Sequence, residues 1–363
     1  MNAQFDLQKE FAEYVRQAYA RQQQLHIQGG NSKTFYGRRV SGETLSLRDY
    51  SGIINYEPSE LVITARAGTP LHIIEATLSE HGQMLGFEPP AYGPTATLGG
   101  IIACGLSGPR RPYSGAARDF VLGITLINGK GELLRFGGQV MKNVAGYDVS
   151  RLMCGAQGTL GILLDITLKV VPIPAYEETR VLEADETQMQ TLLSDLGRRP
   201  LPLSATVLDE NLLYIRLSGA RAGVDAAARV IGGDLLAKPQ GDRYWQQIRE
   251  QEHKFFNRAR ETDTNLWRLS LAPATKAIPD QLISNQLIEW SGALRWVYSH
   301  NDDEALRQWT QQQNGHAIRL NFADASDRTF HPLAPALHAL SQRIKNSFDP
   351  AGILNPGRLY ADL

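Results

Sequence analysis

Apolar residues recur at three- and four-residue spacing from Asp6 to Gln23, where Leu7, Phe11, Tyr14, Val15 and Ala18 line one face of a predicted helix. Leu25-His26-Ile27 then reads as a short strand that breaks at Gly29-Gly30. Leu45-Ser46-Leu47 and the run from Leu61 to Ala65 predict further strands. Thr69 and Pro70 predict the N-cap and first residue of a helix that carries Leu71, Ile74, Ala76 and Leu78 and stops near Gly82. Thr97 to Ala103 reads as a helix of small residues. Phe120 to Ile127 is β-branched enough for a strand, Asn128-Gly129 predicts a hairpin turn, and Glu132 to Phe136 the return strand. Residues 142–153 read as loop and short helix, and Gly161 to Val171 as a long strand ended by Pro172 and Pro174.

Beyond Pro174 the pattern changes. Ala205 to Leu208 and Leu212 to Leu217 flank Asp209-Glu210-Asn211 as a predicted hairpin. Ala222 to Val230 and Arg243 to Phe255 predict helices, and Trp267 to Leu271 and Ala293 to Tyr298 predict strands. A helix from Asp303 to Gln313 and a strand from His316 to Asn321 follow. Antiparallel strands with helices between them predict an α+β sheet with helices on one face. A last helix, Leu333 to Asn346, leads into the tail. The expected organisation is therefore 1–174, 175–330 and a C-terminal segment 331–363.

Glycine sharpens this picture. Fifteen of the 33 glycines lie between Tyr92 and Gly161. Fixing glycine costs backbone entropy, so such density implies backbone that turns with positive φ or approaches something closely. Loops laid along a flat, phosphate-bearing ligand satisfy both conditions. The stretch Gln28-Gly29-Gly30-Asn31-Ser32-Lys33 is either a plain turn or a loop that aims N–H groups at phosphate. Its spacing is neither that of a Walker A loop nor Gly-x-Gly-x-x-Gly.

Composition excludes several classes. The 363 residues are 42% hydrophobic and 21% charged, as in ordinary globular proteins, and a net charge of -1 provides no field to collect nucleic acid or an anionic membrane. Two cysteines, Cys104 and Cys154, are too few for an iron–sulfur cluster and suit a reducing compartment. The chain has no apolar run of about 18 residues, and Met1 to Arg21 lacks the apolar centre of a signal peptide. A cytoplasmic protein is expected.

Ordered blocks of this chain resemble a known family. The loop from Ile27 to Ser32 resembles the pyrophosphate loop of FAD-binding domains of the vanillyl-alcohol-oxidase / p-cresol-methylhydroxylase (PCMH) type. Leu98-Gly99-Gly100 with Gly105, and Asp119 to Gly123, resemble its second glycine cluster and the strand that follows. Lys142 to Asp148 and Gly158 to Ile162 resemble its third block. Phe348-Asp349-Pro350 and Leu354 to Arg358 resemble the closing motif of the FAD-linked oxidase branch. Ser107 to Pro112, Phe136 to Asp148 and Gly292 to Trp296 narrow the likeness to the FAD-binding subunits of bacterial glycolate oxidases.

The resemblance implies a two-subdomain PCMH-type FAD-binding domain, a smaller antiparallel α+β cap, and a tail that docks back on the first domain. It implies oxidation of glycolate to glyoxylate, with electrons passed to a carrier, beside a larger catalytic FAD subunit and an iron–sulfur subunit. Contact with the inner face of the cell membrane would run through those partners. Two other readings stand beside this one: a non-catalytic assembly subunit with structural FAD, and a stand-alone 2-hydroxy-acid dehydrogenase.

The implied FAD contacts are Gln28, Gly29, Gly30, Asn31, Ser32 and Lys33 in the first loop. Pro94, Thr95, Leu98, Gly99, Gly100, Ala103 and Asp119 follow in the second cluster, then Gly158, Gly161, Ile162 and the tail residue Asn355. Asn31 stands where covalent members carry the histidine that links to the flavin, so the FAD is expected to be non-covalent. A hydroxy acid needs a cation for its carboxylate and a base for its hydroxyl. Arg110, Arg111, Arg268, Arg319 and Arg358 suit the first need and His316 the second, with His316, Arg319 and Arg268 taken as the catalytic candidates. Catalytic relatives usually carry paired histidines, often holding a metal, in a longer cap. No such pair occurs here, and no metal is expected.

Overall fold

The first helix, Asn2–Arg21, buries Ala12, Val15 and Ala18 against Leu25, Tyr50, Ile162, Leu164 and Ile353. It ends where Gln22 adopts a φ of 55°, and the chain turns into the strand Leu25–Gln28. That strand pairs in parallel with Glu43–Ser46. In this computed structural model the described residues are 2–138, 148–261, 265–299, 303–320 and 329–363.

Among the described residues, a five-stranded antiparallel sheet forms the centre of the first half. Its order is Ile53–Glu57, Val62–Arg66, Ile162–Lys169, Val121–Ile127 and Leu133–Gly137. The helices Leu71–Glu80 and Leu98–Cys104 cover it, packing Ile74, Leu78, Leu98, Ile101 and Ile102 onto Ile63, Ile124, Ile166 and Leu168. Each such side chain contributes on the order of 1.5–3 kcal/mol by leaving water. The hairpin at Asn128-Gly129 is confirmed with a longer connection than a two-residue turn. The Asn128 Oδ1 accepts the N–H groups of Lys130 and Glu132, both at 3.0 Å, and so closes the loop itself.

Thr69 does not cap the helix that follows it. The helix begins at Leu71 after Pro70, and Thr69 Oγ1 is instead claimed by Gly52, accepting its N–H at 2.9 Å. A tertiary contact thus outcompetes the local cap.

The second half is an eight-stranded sheet among the described residues. Its order is Asp234–Leu236, Tyr176–Glu183, Leu212–Gly219, Leu203–Asp209, Asn285–Glu289, Leu294–Ser299, Asn265–Ser270 and His316–Leu320. Sequence reading missed the strands Tyr176–Glu183, Asp234–Leu236 and Asn285–Glu289 and the helix Glu186–Leu196. A signal for that helix was present, because Asp185 and Gln188 form a capping box.

Helices lie on both faces of this sheet, not on one. Met189, Leu193, Val224, Ala227 and Ala228 pack on the face that carries Leu208, Leu213 and Ile215. Tyr244, Trp245, Ile248 and Phe256 pack on the opposite face with Val207 and Trp296. The single helix expected from Arg243 to Phe255 is two helices, Lys238–Glu250 and Lys254–Glu261. They break at Gln251, whose left-handed φ of 55° lets its N–H cap the first helix by bonding to Gln247 and Ile248.

The two halves meet along a charged seam. Arg110 donates to Glu88 Oε1 at 3.1 Å and to Glu177 Oε2 at 2.6 Å, and Arg216 donates to Glu88 Oε2 at 2.9 Å. Burial alone would raise the Glu88 carboxyl, but Arg216 and Arg110 outweigh it and hold it down at about 2. Arg249 adds a bond to Glu75 at 2.5 Å, and Glu250 accepts the N–H groups of Ala91 and Tyr92.

Candidate functional site

Where the strand Leu25–Gln28 ends, the chain opens a cleft with about 860 Å³ of empty space. Its walls are the loop 28–34, the start of the helix Leu98–Cys104, the loop at Gln157 to Gly161, and the tail at Asn355 and Arg358. Among the described residues, the backbone N–H groups of Gly29, Gly30, Asn31, Ser32 and Lys33 have no acceptor in the chain. A run of unclaimed donors at a cleft is a cradle for an anionic group.

Close backbone packing explains the glycines. A Cβ on Gly30 would collide with the Thr95 carbonyl oxygen, and one on Gly29 would strike Thr97 Oγ1. Gly99 sits against Ala67 and donates its N–H to the Ala67 carbonyl at 2.7 Å. Thr97 caps the short helix by accepting the Gly100 N–H at 3.3 Å.

The tail closes the cleft through two residues. Asn355 Oδ1 accepts the Ile27 N–H at 2.8 Å, and its Nδ2 donates to the Gln157 carbonyl at 2.7 Å. Arg358 reaches the Arg38 and Tyr36 carbonyls at 2.6 and 2.8 Å and Gln157 Oε1 at 2.9 Å. These bonds commit Arg358 to holding the 33–38 loop, so it is not a free cation for a substrate carboxylate. Lys33 is buried and donates to the Ala91 carbonyl at 3.0 Å. Burial lowers the affinity of its ammonium for a proton, with Cys104 pulling the other way. Burial also pushes the Cys104 thiol up, which keeps it protonated. Both cysteines are free.

Of the residues expected to contact the cofactor, Gln28, Gly29, Gly30, Asn31, Ser32 and Lys33 line the cleft, as do Gly99, Gly100, Ala103, Gly158, Gly161 and Asn355. Pro94, Thr95, Leu98, Asp119 and Ile162 do not. Leu98 and Ile162 point into apolar cores, Thr95 serves through its carbonyl behind Gly30, and Asp119 accepts the Ala116 N–H at 2.9 Å. The motif residues 142–147 lie outside the described residues. Sequence reading missed His26, Leu47, Ala67, Thr97, Gln157 and Leu163 on the cleft wall. Thr97 was legible as a cap residue; the others come from strands and loops with no motif.

The catalytic candidates divide. Cross-strand register places Arg268 opposite Ile318, so Arg268 and His316 share the sheet face that packs toward the first half. Arg319 lies opposite Trp267 on the other face, among Leu269, Ala317 and Trp309. Burial, then the charges of Arg268, His331 and Arg111, push the His316 imidazole down, so it is neutral at pH 7. Tyr36 and Tyr92 pack in the same apolar cluster as Ile318 and Leu320 of that face, with Phe35 in edge contact with Tyr92 at 4.9 Å and Phe330 with Tyr36 at 5.4 Å.

The "FAD binding domain" family model matches residues 4–137. The glycolate oxidase subunit GlcE of Escherichia coli is 47% identical over 358 residues, which cover 99% of each chain. The chain belongs to the GlcE family of glycolate oxidase subunits. The glycolate oxidase subunit GlcD of Bacillus subtilis is 29% identical over 204 residues, covering 55% of this chain and 42% of that protein. A solved alkyldihydroxyacetonephosphate synthase superposes with a TM-score of 0.66 at 15% identity, covering 96% of this chain and 74% of that one. This GlcE-family chain thus has a PCMH-type α+β fold and takes FAD as its cofactor. The cleft fits that cofactor: its unclaimed N–H run suits a pyrophosphate, and its glycines leave the room that side chains would fill. Among the described residues, no helix is long and apolar enough to cross a membrane.

Proposed function

We propose that this chain is the FAD-holding subunit of a glycolate-oxidising complex, working beside a GlcD-type larger flavin subunit and an iron–sulfur subunit. The supporting observation is full-length 47% identity to a glycolate oxidase subunit, together with the donor-lined cleft. When bound, FAD supplies the two-electron acceptor for the hydroxy acid. The chain's own part is to hold and orient. Residues 29–33 offer N–H donors, Gly99 and Gly100 let the flavin approach the helix, and Asn355 with Arg358 keeps the tail closed over the cleft. Asn31, whose amide donates to Gln28 Oε1 at 2.8 Å, offers no linking nucleophile, so the FAD is held non-covalently. The two sheets and the returning tail support a proposed division into 1–174, 175–330 and 331–363. Contact with the inner membrane face runs through the partner subunits.

Arg268 and His316 remain the proposed substrate-facing pair, since they share the face that looks toward the flavin side. The aromatic filling by Tyr36, Tyr92 and Phe330 favours a second reading, in which the FAD is structural and turnover belongs to the partner.

Purification of the chain alone and with its partners, followed by anaerobic glycolate, separates these readings. Flavin that bleaches only with the partners present supports the first reading. Flavin that never bleaches supports the second, and bleaching by the isolated chain indicates a stand-alone dehydrogenase. Acid denaturation should release all the flavin into solution; flavin retained on the chain overturns non-covalent binding.

A further inference from the structure

Lys33 ends the glycine loop on the wall of the cleft, and it is only 7% exposed. Its ammonium donates to the Ala91 carbonyl at 3.0 Å and to Ser32 Oγ at 3.2 Å, and it lies 5.8 Å from the centroid of the Tyr92 ring. An ammonium carries three N–H donors, so one is left over. Among the described residues no carboxylate pairs with it. Glu250, whose charge acts on it, is already engaged: its Oε2 accepts the Ala91 and Tyr92 N–H groups at 2.9 and 3.1 Å, and its Oε1 lies 3.1 Å from Arg249 Nε. Arg358, the other cation on the cleft wall, differs, because its guanidinium is spent on carbonyls and on Gln157. A charge at the depth of Lys33 without a counter-ion is costly until an anion arrives.

The helix Leu98–Cys104 measures where that cation stands along the cleft. Gly29 and Gly30 close on Thr97 and Thr95 at the helix start, beside the unclaimed N–H groups. Lys33 stands over Tyr92, and Tyr92 packs with Cys104, the last helix residue, on the apolar cluster that holds Tyr36, Leu106, Trp290 and Trp296. Seven helical residues span about 10 Å. The N–H run and the ammonium therefore face different parts of a long ligand. The run suits a pyrophosphate, whereas the ammonium stands at the end where the second half approaches, through Trp290 and Trp296. That is the end from which a substrate held by the second half can reach a flavin ring.

Oxidation of a hydroxy acid gives the ring a hydride, two electrons with one proton, and releases the hydroxyl proton to solvent. The ring thereby gains one negative charge. A cation held beside it favours the reduced form over the oxidised one. We propose that the Lys33 ammonium is the counter-charge for reduced FAD, so that this one side chain raises the flavin's midpoint potential. The proposal rests on the FAD reading of the cleft and on no particular substrate or partner, so its failure leaves the glycolate reading standing.

The test is anaerobic reductive titration of the flavin-bearing chain against a reference dye at pH 7, with binding of oxidised FAD followed separately by fluorescence. Lys33→Met is expected to weaken the hold on reduced FAD relative to oxidised FAD by about tenfold or more, read as a fall of about 30 mV or more in the two-electron potential. Lys33→Arg keeps the charge and should restore most of the wild-type potential. If Lys33→Met misfolds, Lys33→Gln keeps a donor for the Ala91 carbonyl and should show the same fall. Three results would each overturn the proposal: an unchanged potential in the neutral variants, a fall that Lys33→Arg does not reverse, or an equal loss of affinity for oxidised and reduced FAD, which assigns the ammonium to the pyrophosphate.

Discussion

The side-chain oxygen of Asn355 accepts the backbone N–H of Ile27 at 2.8 Å, across 328 positions of chain. Through it the tail fixes the strand that launches the 28–34 loop. Its Nδ2 meanwhile holds the Gln157 carbonyl, so one buried amide ties three walls of the cleft together. Asn355→Ala leaves a buried donor and a buried acceptor unmet, which costs about 2–4 kcal/mol. Urea unfolding should show that loss, and the variant should release FAD faster than wild type. Asn355→Asp keeps the bond from Ile27 but sets a buried carboxylate oxygen against the Gln157 carbonyl, so it should lose at least as much.

Glycine substitutions should separate packing from propensity. Gly30→Ala drives a Cβ into the Thr95 carbonyl, so the loop must shift, at about 1–3 kcal/mol, and FAD content should fall. Gly223 lies in the helix Arg221–Ile231 with open space around it. Gly223→Ala should stabilise by about 0.5–1 kcal/mol with FAD content unchanged. Comparing flavin absorbance per chain and melting temperature of the two variants checks both expectations.

The seam should be acid-sensitive. The folded Glu88 carboxyl holds its proton less tightly than the ordinary value of 4.5, reaching about 2. Its contribution is therefore present above about pH 4.5 and is lost as pH falls towards about 2. Glu88→Gln should cost about 3 kcal/mol at pH 7, because Arg110 and Arg216 lose their shared charge. The gap between wild type and variant should narrow steadily as unfolding is followed from pH 5 to pH 3.

Glu289 should behave in the opposite sense. Burial raises its carboxyl from 4.5 to about 7, so the folded state holds the proton more tightly than the unfolded chain. Stability is then lost as pH rises between those values. Glu289→Gln keeps an acceptor for the Trp296 N–H and should be more stable than wild type at pH 8, with the advantage absent at pH 4.5. Chemical unfolding at the two pH values measures the difference.

Much of the cleft was legible in the sequence because backbone itself builds it. Gly29, Gly30, Gly99 and Gly158 are needed where chain meets chain, and a missing side chain is visible in a sequence. The elements that were missed are short or half-buried. The strand Asn285–Glu289 mixes polar and apolar residues, and the edge strand Asp234–Leu236 has only three. Neither displays a clean period until its sheet neighbours supply the register. Leu98 and Ile162 adjoin the right glycines, while a helix face and a strand face turn their side chains into the core, which leaves their backbone for the cofactor contacts expected of them.

The sequence by itself determined the family, the order of the blocks and the glycines that admit a flat ligand, because these depend on residue identity and local backbone freedom. Tertiary structure decided what each polar group does. Thr69 answers Gly52 and not its own helix, Arg358 is spent on loop carbonyls, and Arg319 lies on the far side of its sheet from Arg268. It also decided that Arg111 and Arg268, separated by 157 positions, share one indole. Hydrogen-bond and ion-pair partners are chosen by position in space, and a one-dimensional pattern carries only which groups are available to choose.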